Sequence, residues 1–129
     1  MNEIPSMDNW LREAKADESL PKTGMYLIHN GIVRSTPKAL VRYGDKSAKE
    51  VLAMDFSYDE KTVREIEALT LKMDGIFYLR YWLNQGILNV GDDMMYVLVG
   101  GDIRSHVVDA LQFFVSQVKD RAVKEIEIS

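Results

Sequence analysis

The sequence contains no cysteine, and His29 and His106 are its only histidines among 129 residues. A chain without thiols forms no disulfide, no thiolate zinc site and no iron–sulfur cluster, and it has no cysteine nucleophile. Two isolated histidines do not make a multi-histidine metal centre. Long apolar runs are also missing, because charged residues recur through the first thirty positions. We therefore expect no metal, no membrane partner and a cytoplasmic location.

Neither positive nor negative charge strongly predominates in this chain. The 16 Lys and Arg residues face 20 Asp and Glu residues, for a formal net charge of -4. This mild acidity argues against a nucleic-acid partner, whose phosphates are bound through an excess of cations. The 47% hydrophobic content excludes a disordered chain. Residues 1–129 are therefore expected to form a single domain that buries about two-thirds of its surface without a metal or disulfide.

The hydrophobic pattern predicts mixed strands and helices. A polar N-terminal extension, residues 1–22, contains a short helix around Trp10, and a basic connection spans residues 35–49. We predict helices over 59–72 and 103–119 and strands over 24–33, 50–58, 76–83, 94–99 and 123–128. This order predicts an α+β domain in which helices pack on a mainly antiparallel sheet.

Cap and turn residues set the expected boundaries of these elements. Asp8 and Asp102 are suited to cap the first and last helices. A turn is expected from Gly86 to Gly91, and Gly100-Gly101 is expected to end the strand before the last helix. The helix over 59–72 carries a predicted apolar stripe of Val63, Ile66, Leu69 and Met73.

Four cations are candidates for a functional site. Arg34 ends an apolar strand, and Arg104 lies in a first helical turn, where the dipole disfavours a cation. Each is either a solvated surface residue or an anion ligand. Lys124 shares a strand face with Ile126 and Ile128 and is either a half-buried amine or a side chain that extends to solvent. The helix dipole explains Lys119 without a function.

The glycine pair and the histidines allow a structural interpretation. Gly100-Gly101 is either a simple strand-to-helix turn or a place where an anion approaches a helix N-terminus. His29 lies within a strand, where such a side chain usually has a satisfied hydrogen bond. His106 lies on a helix without a visible partner, and both histidines are expected to be structural.

Several short motifs occur in a definite order between about residues 24 and 124. Gly31-Ile32-Val33-Arg34 follows the first strand, and Gly86-Ile87-Leu88-Asn89-Val90-Gly91-Asp92 precedes the strand over 94–99. Arg104 and then Lys119-Asp120-Arg121-Ala122 complete the series. No single motif is specific. Taken together, the order and spacing of these motifs resemble those of the large, catalytic subunit of molybdopterin synthase.

The resemblance implies an α/β hammerhead fold, a homodimer and sulfur transfer in molybdenum cofactor biosynthesis, without a metal or other cofactor. The implied partner is a small ubiquitin-like sulfur carrier with a Gly-Gly terminus that bears a thiocarboxylate. The implied substrate is a cyclic pyranopterin monophosphate. By the same resemblance, Arg34 and Arg104 bind anions, Lys119 is the catalytic lysine and Lys124 is the second lysine.

The chain also departs from the family pattern. Ile103 stands where the family has a histidine, and Leu83-Asn84 stand where it has a His-Arg pair. The closing motif is shortened by two residues to Ala122-Val123-Lys124-Glu125. These departures leave open a non-catalytic paralogue that uses the same fold to bind a carrier or assemble with a partner.

Overall fold

The computed structural model describes residues 1–129. A 3-10 turn over Leu20–Lys22 and a π turn over Val118–Ala122 supplement its regular elements. In chain order these are α1 (Met7–Lys15), β1 (Met25–Ile32), α2 (Lys38–Tyr43), β2 (Ala53–Tyr58), α3 (Glu60–Leu71), β3 (Ile76–Leu83), β4 (Gly86–Asn89), β5 (Asp93–Gly101), α4 (Arg104–Gln117) and β6 (Val123–Ile128). None of the helices combines the length and apolarity that crossing a membrane requires.

The strands form two antiparallel sheets of three strands each. Sheet A has the order β1-β5-β3, and sheet B has the order β4-β2-β6. The predicted α+β class is confirmed, although the strands are divided between two sheets rather than joined in one. The segment from Gly86 to Gly91 is also more than a turn, because β4 pairs with β2.

Helices cover both faces of sheet A, so its central strand β5 is buried. On the inner face, Val63 of α3 and Phe114 of α4 belong to the same core cluster as Val97 of β5. Burying side chains of this size contributes about 1.5–3 kcal/mol each. On the outer face, Trp10 of α1 meets the Tyr96 ring edge to face, with centroids 6.2 Å apart. The apolar run predicted over 94–99 is thus covered on both sides.

Two predictions about helix residues are wrong. Ser6, rather than Asp8, caps α1 by accepting a hydrogen bond from the Asn9 N–H at 3.3 Å. In α3, Leu69 is exposed, and the buried position is taken by Thr70, whose hydroxyl donates to the Ile66 carbonyl at 2.8 Å. This internal hydrogen bond lets a polar side chain replace an apolar one in the core. The last helix ends at Gln117, two residues before its predicted end, and the π turn begins at Val118.

The Gly100-Gly101 pair does not end β5, which pairs with β1 through Gly101. A β-carbon on Gly100 would lie 2.7 Å from the Tyr26 ring, and one on Gly101 would lie 2.4 Å from the Gly75 carbonyl. Both glycines are therefore required by packing, which decides against an anion loop. Asp102 is not the helix cap either, since that position is Ile103. Its carboxylate instead accepts from the Ile103 N–H at 2.6 Å.

Candidate functional site

A cleft of about 140 Å³ opens between the end of β1, helix α2, the π turn and β6. Both sheets contribute to it, because β1 and β5 belong to sheet A and β2 and β6 to sheet B. Its charged lining combines four cations with two carboxylates, which leaves an excess of positive charge for an anionic guest. These six residues are Arg34, Lys38, Arg42, Lys119, Glu125 and Glu127.

Arg34 projects from a fixed point of the backbone. The preceding Val33 is buried, its N–H donates to the Asp92 carbonyl at 3.0 Å, and its own carbonyl accepts from the Gly91 N–H at 2.8 Å. The Arg34 Nε donates to the Thr36 carbonyl at 3.1 Å. The two terminal nitrogens of the guanidinium donate to no protein group, so they are free for a carboxylate or phosphate.

Lys119 enters the cleft from the π turn that follows α4. The N–H of Val123 donates to the Val118 carbonyl, five residues back, and the Ala122 carbonyl accepts from the Asp59 N–H at 2.9 Å. Val118 and Ala122 are buried, so both ends of the turn are anchored. The side chain of Lys119, between them, is 35% exposed. Single π turns occur often at functional sites, and this one places an amine at a cleft.

The acidic side of β6 faces the same cleft. The Glu125 carboxylate, only 12% exposed, lies with Oε1 3.9 Å from the Lys119 Nζ and Oε2 3.6 Å from the Lys38 Nζ. Glu127 accepts a hydrogen bond from the Lys38 backbone N–H at 2.9 Å. These contacts hold the first turn of α2 against β6 and give the cleft an internal counter-ion.

Lys124 does not line the cleft. In sheet B, Glu125 is paired with the fully buried Phe56, whereas Lys124 is paired with the exposed Ser57. Cross-strand partners point to the same side of a sheet, so the acidic residues of β6 face inward and Lys124 faces solvent. Of the two alternatives for this lysine, the structure shows the exposed one. The acidic face turns inward because it meets the cations of α2 and the π turn.

Arg104 lies at the opposite end of the molecule from the cleft. The pairing of Met25 with Gly101 places the start of α4 at one end of β1, and Arg34 follows the other end. The 14 residues of α4 separate Arg104 from the π turn by about 21 Å. A single chain therefore brings Arg34 and Lys119 together but leaves Arg104 and Lys124 outside the cleft.

His29 does not have the satisfied hydrogen bond predicted for it. Its Nε2 atom is buried and has no hydrogen-bond partner. Burial, and to a smaller degree the positive charge of Lys119, hold the pKa of His29 below its ordinary value of 6.5. His106 has the structural role expected of it, because its Nδ1 is 2.8 Å from the Asp102 carboxylate. The hydrogen bond to His106 is the main reason that the pKa of Asp102 is lowered.

Sequence reasoning missed Lys38, Arg42, Glu125 and Glu127 as charged residues of the cleft. A signal for the first two was present, because cations four residues apart on a helix share one face. Glu125 had no such signal, since strand alternation alone does not say which of two faces turns inward.

Comparisons with known proteins agree on one family. The family model described as MoaE protein matches residues 6–121. No curated protein matches the chain. Among solved structures, molybdopterin synthase from Staphylococcus aureus has a TM-score of 0.72 at 18% identity and covers 96% of this chain and 85% of its own. The molybdopterin biosynthesis MoaE protein from Burkholderia ambifaria has a TM-score of 0.73 at 19% identity and covers 99% and 82%.

A third structure is a complex of subunits 1 and 2 of molybdopterin-converting factor from Helicobacter pylori. It has a TM-score of 0.56 at 16% identity and covers 95% of this chain and 78% of its own. At such identities these structures establish a shared fold. The family follows from the model match, which covers most of the chain and includes the motifs at Arg34 and Arg104. The chain belongs to the MoaE protein family.

Proposed function

We propose that this MoaE-family protein is a molybdopterin synthase catalytic subunit, which transfers sulfur from a thiocarboxylated carrier protein to a cyclic pyranopterin monophosphate. The observation that carries the proposal is the convergence of Arg34 and Lys119, 85 positions apart in the sequence numbering, on one cationic cleft. Both the carrier terminus and the substrate phosphate are anions, which such a cleft attracts.

The residues of the cleft take distinct roles in this proposal. The planar guanidinium of Arg34 binds two oxygens of a phosphate or carboxylate at once, and Lys38 and Arg42 add charge. The carrier sulfur adds to a carbonyl carbon of the substrate, whose oxygen takes up a proton and later leaves as water. The bond between that sulfur and the carrier's acyl carbon then breaks as water takes up the acyl group. Lys119 supplies positive charge for the acyl oxygen, where negative charge develops.

The partner in this proposal is a small sulfur-carrier subunit. The Helicobacter pylori structure is a complex of two subunits of molybdopterin-converting factor, which supports a small partner for proteins of this fold. The basic region over residues 34–49 borders the cleft, and Tyr43, 79% exposed, offers an apolar contact beside its cations. We propose that one carrier docks here per protomer and inserts its Gly-Gly terminus toward Lys119.

A homodimer would give Arg104 a place in the reaction. Because α4 keeps Arg104 about 21 Å from the π turn, it can serve the cleft only from a second copy of the chain. The outer face of sheet B supports a dimer, because it leaves the apolar side chains Ile87, Ile126 and Ile128 exposed. Asp55 and Lys124 lie on this face with opposite charge, and a two-fold axis can pair them across an interface.

The proposed function is tested by adding thiocarboxylated carrier and pyranopterin substrate and measuring dithiolene product. We expect product from the wild type, and a loss of at least about 100-fold in rate for Lys119→Ala, the scale of removing one charge-stabilising group. Lys15→Ala is the matched control and should retain the wild-type rate, because this exposed lysine ends α1, outside both the cleft and the proposed interface. Wild-type protein that makes no product, beside an active family member, contradicts the proposal.

One observation favours a second candidate, a carrier-binding or assembly protein without turnover. Glu125 occupies the cleft as a counter-ion to Lys119 and Lys38 and competes with any anionic guest. In that case the chain would bind the carrier equally well with and without Lys119→Ala, and neither form would yield product. Titrating labelled carrier against both proteins separates the two candidates.

A further inference from the structure

Two buried polar side-chain atoms in this molecule have no hydrogen-bond partner, the Nε2 of His29 and the Oε1 of Glu125. Buried polar atoms are almost always paired in native proteins, and an exception calls for a specific explanation. These two atoms come from different sheets and are far apart in sequence. Glu125 forms an ion pair with Lys119, and the charge of Lys119 also acts on the ring of His29.

Glu125 lies on the β6 side of Lys119. Its Oε1 is 3.9 Å from the Lys119 Nζ, close enough for an ion pair but too long for a hydrogen bond. Its Oε2 is directed at Lys38 instead. The oxygen nearer to Lys119 therefore keeps an unused lone pair, and a small movement of the lysine would complete the bond.

His29 lies on the β1 side, beneath the floor of the cleft. Its Nε2 is 3.5 Å from where a β-carbon would stand on Gly31, so the ring extends along the strand toward Arg34. The methyl group of Met94, a residue of the cleft lining, is 3.9 Å from the same point. The unpartnered nitrogen therefore lies toward the end of β1 that borders the cleft, beside a residue of the cleft lining.

An ammonium group has three N–H donors and no acceptor. In the free chain the Lys119 Nζ forms an ion pair with Glu125 but donates no hydrogen bond. The geometry points to His29 and Glu125 as positioning residues that each accept one Lys119 N–H when an anion enters the cleft, which aims the third N–H at the guest. This inference rests on the proposed role of Lys119 and adds two residues to it.

The acceptor role requires a neutral imidazole. Val97 is the cross-strand partner of His29, and Met95 and Val99 flank it on the same side of β5, so none of these neighbours titrates. The charge that acts on the ring is that of Lys119, which together with burial lowers the pKa of His29. At neutral pH the ring is uncharged and can accept a hydrogen bond from an ammonium group.

The contact is tested without turnover by NMR titration of the His29 imidazole in the intact protein. Replacing Lys119 by Met, Lys119→Met, should move the pKa of His29 upward, because a neighbouring positive charge is removed and the stem is kept. Lys124→Met removes a charge of the same sign outside the cleft and should leave the titration unchanged. An identical His29 titration in wild type and Lys119→Met overturns the inference.

Activity supplies the second readout. His29→Phe keeps the ring and removes the acceptor, and we expect kcat to fall roughly tenfold, as for one lost hydrogen bond to a charged group, with the KM for the carrier unchanged. His29→Gln restores an acceptor near the Nε2 position and should recover most of the rate. If kcat falls equally in both variants while their unfolding temperatures stay at the wild-type value, His29 acts through packing alone and the inference is contradicted. A normal NMR result with an inactive wild type contradicts the proposed function instead.

Discussion

At the scale of single residues, the neighbourhood of Lys119 shows how a site differs from its separate parts. Lys119, Glu125 and His29 each have an ordinary structural explanation when read alone: a helix-terminal cation, a surface carboxylate and a strand histidine. Their meaning changes once β6 and β1 place them beside one cleft. Arg34 and Lys119 could be selected as candidates from the sequence. Glu125 could not, because its inward orientation depends on cations that arrive from α2 and the π turn.

His29 also makes stability depend on pH. Because the pKa of the folded imidazole lies below 6.5, its value in the unfolded chain, the unfolded state binds more protons just below that pH. The folded state is therefore favoured fully above about pH 6.5 and loses this contribution as the pH falls toward the folded pKa. We expect urea unfolding to show a smaller stability difference between pH 7.5 and 5.5 for His29→Phe than for the wild type. An equal difference in both proteins would contradict the buried, uncharged ring.

At the scale of elements, apolar periodicity predicted the two long helices α3 and α4 and five of the six strands, since that signal is local. The strand over 76–83 has the predicted bounds, and so does the strand over 123–128. β4 was missed because four residues between glycines give too little alternation to separate a strand from a turn. The division into two sheets was also missed, because it depends on pairings such as Phe56 with Gly86 that no local pattern contains.

Two glycines with positive φ provide a matched test of turn packing. Gly75 has a φ of 73° and Gly44 a φ of 68°, so alanine meets similar backbone strain at both. A β-carbon on Gly75 would lie 2.2 Å from the Asp102 carboxylate, whereas none of the surroundings of Gly44 is within 4 Å. We expect Gly44→Ala to cost about 1 kcal/mol and Gly75→Ala to cost about 1–3 kcal/mol more from overpacking. Chemical denaturation measures both, and equal losses would show that Asp102 moves aside freely.

At the scale of the whole molecule, the two sheets supply different parts of the cleft. Sheet A, covered on both faces, supplies the rigid frame that ends at Arg34. Sheet B contributes the acidic wall of the cleft on one face and leaves three isoleucines exposed on its other face. The position of Arg104, far from Lys119 within one chain, and the exposed isoleucines of sheet B are the two observations on which the proposed dimer rests.

The proposed dimer is tested on the outer face of sheet B. Ile126→Asp places a charge at its centre, beside Asp55, and we expect the protein to elute as a monomer in light-scattering chromatography at concentrations where the wild type is a dimer. Ile103→Asp is the control, because Ile103 is a comparably exposed isoleucine beside the start of α4. Dissociation by the control alone would place the interface at the other end of the molecule.

The length of the π turn between α4 and β6 determines the direction in which the side chains after it point. A regular α-helix rotates by about 100° per residue, so deleting one residue between Val118 and Ala122 would swing the next side chains by more than a quarter of a circle. The amine at position 119 would then leave the cleft, or β6 would lose its alternation against β2. Length, as much as residue type, is therefore under constraint in this five-residue segment.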